Sequence, residues 1–124
     1  MTLKIVSSVL ILAVVCGGMF FGLEWYSDVI EELSELSGNI ITAADISDSI
    51  DSFYELESYF EKQKMFISLF IHDSEVEELG EQMIEIITLL FSGDRDSAIV
   101  SATLFRQKIL SLGEAVLPSF SNIL

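Results

Sequence analysis

The sequence predicts an all-α protein: an N-terminal transmembrane helix that continues into a small four-helix bundle, arranged as two stacked helical hairpins. Three observations carry that expectation. Residues 5–23, IVSSVLILAVVCGGMFFGL, are apolar and uncharged. At about 1.5 Å per helical residue the run reaches about 28 Å, close to the hydrocarbon thickness of a bilayer. Beyond it, apolar residues recur at three- and four-residue spacing, the period of a helix with one buried face. Punctuation is scarce, since 124 residues hold one proline and seven glycines, three of them inside the apolar run.

The chain therefore divides into a short stub (1–4), a transmembrane helix (5–23) and an acidic all-helical domain (24–124), which is long enough for one small core. Lys4 closes one end of the span. Glu24, Trp25 and Tyr26 close the other, where Trp and Tyr favour the membrane interface. A cleaved signal peptide would need a shorter apolar region and a small-residue cleavage site. Cys16-Gly17-Gly18 could serve, but the run continues through Met19, Phe20 and Phe21 to Leu23. A lipoprotein signal would place a small residue before the cysteine, where Val15 stands. The reading is an uncleaved signal anchor, with cleavage or lipidation at Cys16 as the competing alternatives. Lys4 and the amino terminus are the only cations before Lys62. The positive-inside rule then puts the N-terminus in the cytoplasm and the domain outside it, as a single-pass protein of the cell membrane.

The first helix should continue past the membrane surface. Leu23, Tyr26, Ile30 and Leu33 share a face, with Val29 and Leu36 beside them and Asp28, Glu31, Glu32 and Glu35 opposite. Gly38-Asn39 should end it after Ser37. A second helix should start near Thr42, with Asp45 in the capping-box position. Its inward stripe is Ile46, Ile50, Phe53, Leu56, Phe60, Ile67 and Phe70, and Asp48, Asp51, Glu55 and Lys62 face water. The run Met65–Ile71 is apolar nearly all round and reads as the most buried part of this helix. His72-Asp73-Ser74 breaks the chain. Ser74 and Glu77 form a second capping box, so His72, Ser74 and Glu77 make up a helix-junction cap.

The third helix turns Val76, Leu79, Met83, Ile87 and Leu90 inward and Glu78, Glu81 and Glu85 outward. Gly80, at its middle, should allow another backbone to approach closely. Ser92-Gly93-Asp94 ends it, and Asp94 caps the fourth helix. That helix buries Ala98, Ala102, Phe105, Ile109 and Leu112, exposes Ser97, Ser101, Lys108 and Ser111, and should end at Gly113 and Pro118. The tail, 118–124, is apolar enough to pack back on the bundle. Leu36-Ser37-Gly38-Asn39 and Phe91-Ser92-Gly93-Asp94 look like equivalent turns of two hairpins.

Charge limits the function. The net charge is −14, and residues after Leu23 carry five basic and twenty acidic side chains, net −15. Such a domain repels phosphate backbones and anionic headgroups, so nucleic acid is excluded as a partner. Solubility is the plainest use of the acidic faces. One histidine, His72, gives no metal cluster and no Glu-x-x-His pair for a diiron bundle. Asp94-Arg95-Asp96 lacks the glycine and glutamate of a calcium loop, with Ile99 and Phe105 in those places. Cys16 has no positioned base, so no catalytic, cofactor-binding or metal site is assigned and no enzyme is expected.

The layout resembles a family of short, N-terminally membrane-anchored, all-helical bacterial proteins of unknown function from Firmicutes. Leu69-Phe70-Ile71-His72, Glu75 and the ending Asn122-Ile123-Leu124 carry the resemblance. Tyr59, Met65 and Phe66 stand where tryptophans are expected in that family. The resemblance implies the fold and no activity.

One motif remains. Gly18 and Gly22, preceded at the same spacing by Ala13 and Gly17, form a small-xxx-small stripe in the span, which would suit a homodimer through transmembrane helix packing. The expected function is a membrane-anchored helical scaffold or partner-binding protein, whose partners are the lipid bilayer and an unidentified membrane or extracytoplasmic protein. The alternative is an acidic extracytoplasmic module binding cations or a cationic ligand.

Overall fold

The computed structural model describes the backbone of residues 2–123 and the side chains of residues 2–115. It is all helical, with no strand among the described residues. Four helices run in order: α1 (Thr2–Thr42), α2 (Ile46–Ile67), α3 (Asp73–Phe91) and α4 (Arg95–Ile123). They alternate in direction around a ring, each packed on its chain neighbour, and α4 closes the ring on α1. The α1–α2 and α3–α4 hairpins thus stack side by side, and the α2–α3 seam is the thinnest of the four.

α1 has two halves of different character. Its N-terminal half holds a stretch long and apolar enough to cross a membrane, and none of that stretch is buried. Its C-terminal half is a wall of the core, with Tyr26, Val29, Ile30, Leu33 and Ile40 buried. No break separates them. The helix also runs through Gly38-Asn39, where the sequence predicts its end. The buried residues bracketing that pair explain the continuation. Ser37 is buried with its hydroxyl donating to the Leu33 carbonyl at 2.7 Å, and Ile40, buried in the core, is placed there only by another turn of helix.

The N-cap of α2 is consequently Asp45 rather than Thr42: its carboxylate accepts from the Asp48 N–H at 2.8 Å. Thr42 instead donates to the Gly38 carbonyl at the end of α1. The two glycine turns are not equivalent. Gly93 has φ +82°, and the Gly93 and Asp94 N–H groups donate to the Leu90 and Leu89 carbonyls, the paired bonds of a left-handed helix stop. Gly38 stays within helical backbone.

The inward faces of α2 and α4 follow the spacing. Phe53, Leu56, Phe60 and Ile67 are buried on α2, and Ala98, Ala102, Phe105, Ile109 and Leu112 on α4. On α3 the buried set is Val76, Leu79, Met83, Ile86 and Leu90. Ile86 thus takes the place expected for Ile87, which lies at the edge, because the alternating three- and four-residue steps continue without slipping. Ser101, expected outside, is buried on α4. α4 does not stop at Gly113 or Pro118, and its backbone stays helical to Ile123. Gly113 lies against α1 so closely that an added methyl group would sit 2.8 Å from Ile30 Cγ2. That contact holds the helix to its neighbour past the glycine. How the tail side chains pack lies outside the described residues.

Polar ties fix the hairpins at both ends. At the end far from the apolar half of α1, the Arg95 guanidinium donates to the Ala43 carbonyl. At the near end the Tyr26 hydroxyl donates to the Leu112 carbonyl at 3.2 Å. Between them Arg106 Nε donates to the Ser34 hydroxyl at 3.1 Å, and Lys108 pairs with Glu78 at 2.5 Å, joining α4 to α3.

Candidate functional site

A groove between two helices lies on the thin α2–α3 seam. Phe53 and Phe60 from α2 and Val76 and Met83 from α3 form its floor. The groove above them has a volume of about 360 Å³. Glu57 and Glu61 stand on one bank, four residues apart and so one above the other; Glu77 and Glu81 stand on the other bank in the same way. Lys64 is the one cation along it. Gly80 lies midway. Nothing stands within 4 Å of where its Cβ would be, so it opens the groove instead of admitting another backbone. The close approach predicted for Gly80 occurs at Gly113.

The groove is chemically an apolar trough between acidic banks. It holds no nucleophile with a base, and no group of three His, Cys, Asp or Glu side chains converges on one point among the described residues. Sequence reasoning did not find it, because which helix faces which is a tertiary fact. The signal that existed was the pair of i, i+4 glutamates beside buried residues on two different helices.

The residues singled out from the sequence fall in three places. In the apolar half of α1, Ala13 is exposed, and Gly17 and Gly18 have open space beside them. Gly22 is covered, with its would-be Cβ 3.6 Å from Phe70 Cζ. At the junction, His72 is the N-cap of α3, through its backbone carbonyl, which accepts from the Glu75 and Val76 N–H groups; its side chain makes no capping bond. Ser74 and Glu77 lie inside the helix, so the capping box between them does not form. The chain enters α3 two residues earlier, with Asp73 already helical.

The third place is the α2–α3 connection, and it departs furthest from expectation. Met65–Ile71 is not the most buried stretch. α2 ends at Ile67, and Met65 and Leu69 are 85% and 77% exposed. Four aromatic side chains form a chain of three contacts here: Trp25 to Phe66 at 5.1 Å, Phe66 to Phe70 at 5.2 Å and Phe70 to Tyr26 at 4.7 Å between ring centres. Tyr26 is fully buried on the face that the helical spacing predicts, with its hydroxyl partnered by a carbonyl inside the bundle. Burial, with the Glu75 charge adding to it, pushes its hydroxyl up to about 12. Tyr59 is also raised, by burial and then by Glu32 and Asp28.

No protein-family model, curated protein or solved structure matches this chain.

Proposed function

We propose that this is a single-pass membrane protein whose helical domain, held outside the cytoplasm, captures a basic amphipathic segment of a partner protein in the α2–α3 groove. The groove supports the reading: an amphipathic helix presents an apolar stripe with charges on either side, and here an apolar floor lies between Glu57 and Glu61 on one bank and Glu77 and Glu81 on the other. Lysines or arginines flanking such a stripe would meet carboxylates at both edges. The anchor supports it too, since α1 joins the apolar half to the bundle without a flexible linker and would hold the groove at a set height above the bilayer.

The experiment uses the full chain in lipid nanodiscs and two fluorescent amphipathic helical peptides, one leucine–lysine and one leucine–glutamate. The lysine peptide should bind, and the glutamate peptide should not. Binding should weaken with salt and in Glu57→Gln/Glu81→Gln, as expected for exposed charges. Gly80→Leu should abolish it while leaving the helical content intact, because a Cβ there has open space around it and the longer side chain fills the groove. Equal binding of both peptides, or undiminished binding to Gly80→Leu, would overturn the reading.

A further inference from the structure

The connection between α2 and α3 places exposed apolar side chains at the height of the bilayer. α1 measures that height. Gly22 stands 18 positions beyond Lys4, about 27 Å along the helix axis, near the far edge of a hydrocarbon layer about 30 Å thick. Phe70 packs on Gly22. The loop that carries Phe70 therefore hangs beside the last turn of the apolar run, not above it. Leu69 in this loop and Met65 in the last turn of α2 point outward, 77% and 85% exposed. The seven residues 65–71 carry no charge, although the domain around them is densely acidic. Trp25, half exposed beside Phe66, continues this surface onto α1, where Phe20 and Phe21 are also exposed.

Resting on the reading of α1 as a membrane span, we infer that the α2–α3 loop is a second membrane contact, with Met65 and Leu69 seated in the bilayer interface. The occupant follows from continuity: this surface runs without a polar gap into the face of α1 that lipid would cover. The driving force is burial of apolar area rather than charge. Exposed charges of both signs lie at the same end, Lys62 and Lys64 beside Met65 against Glu24, Asp73 and Glu114, so the contact needs no anionic headgroup and is tested on neutral lipid. Three attachments (the span, Trp25 and the loop) would stop the bundle from pivoting about α1 and fix which way the α2–α3 groove faces.

The test uses the full chain with Cys16→Ser, reconstituted into phosphatidylcholine vesicles. Single cysteines at Val9, Leu69 and Phe91 carry an environment-sensitive fluorophore, and brominated lipid is the quencher. Phe91 is the control, since it is 65% exposed but lies at the opposite end of the bundle. Val9 and Leu69 should be quenched several-fold more than Phe91. Quenching at Val9 with Leu69 no different from Phe91 overturns the loop contact and leaves the span standing. No quenching at Val9 overturns the span and the contact together. A Leu69 probe shielded from water yet untouched by brominated lipid means that a second copy or another protein covers the loop, and it also overturns the contact.

Discussion

The α1–α4 seam and the α2–α3 seam each contain a mid-helix glycine, and the two glycines do opposite things. Gly113 brings α4 so near α1 that a methyl group would overlap Ile30, and the Tyr26–Leu112 and Arg106–Ser34 bonds tie the same two helices. Gly80 has nothing beside it, and the helices flanking it leave a groove. The bundle is thus tightly packed where it continues from α1 and open on the far side. A missing side chain can mean close packing or vacant space, and only the neighbour decides which.

Truncation in the two seams should separate them most. Phe105→Ala, fully buried on α4, should destabilise the full chain by about 3–5 kcal/mol in denaturant unfolding followed by circular dichroism. Phe60→Ala should cost less, because the space it leaves merges with the groove and is open to water. Equal losses would mean that the groove closes in solution.

The glycines sharpen the same contrast with smaller effects of opposite sign. Gly113→Ala should destabilise by about 1–3 kcal/mol through overpacking against Ile30. Gly80→Ala should stabilise by about 0.5–1 kcal/mol, since alanine removes the helix-interior penalty of glycine and meets nothing. Thermal melts of the two variants side by side would check both signs.

An effect as small as that of Gly80→Ala is expected from the hydroxyl that ties α1 to α4. Tyr26→Phe should cost about 1 kcal/mol near neutral pH. In the intact protein, Tyr26 holds its proton more tightly folded, at about 12, than its ordinary value of 10.0. Between those values the folded state binds more protons, so its contribution to stability is complete below pH 10 and is lost as pH rises toward 12. Tyr59 acts in the same direction. Alkaline unfolding of Tyr26→Phe should therefore begin at higher pH, relative to its own neutral stability, than that of the parent; an unchanged pH profile would place the Tyr26 hydroxyl in water.

Much of the fold was legible along the chain. Helix periodicity located four helices and nearly every buried residue of α2 and α4, because the residues on one helix face recur at a spacing set by backbone geometry. Asp94 was readable as a cap for the same local reason: its carboxylate accepts the Ser97 N–H three residues on. Gly93 was readable as a stop, and Gly38, in similar local sequence, was misread as one. Gly38 differs in having Ser37 and Ile40 drawn into a core made largely by other helices. Ser74 and Glu77 failed as a capping box in a comparable way, since Asp73 was already part of α3.

What the sequence determined by itself was what one helix can report. It gave an uncharged apolar run of membrane-spanning length, the faces of the helices that follow, and a charge balance that repels polyanions. What only the tertiary structure decided was which faces meet. The opening at Gly80, the tight contact at Gly113, the bond from Tyr26 to the Leu112 carbonyl and the exposure of Met65 and Leu69 all depend on helices distant in the chain. An apolar run such as Met65–Ile71 looks the same whether its surroundings are core or solvent, because hydrophobicity is a property of the residue and burial is a property of its neighbours.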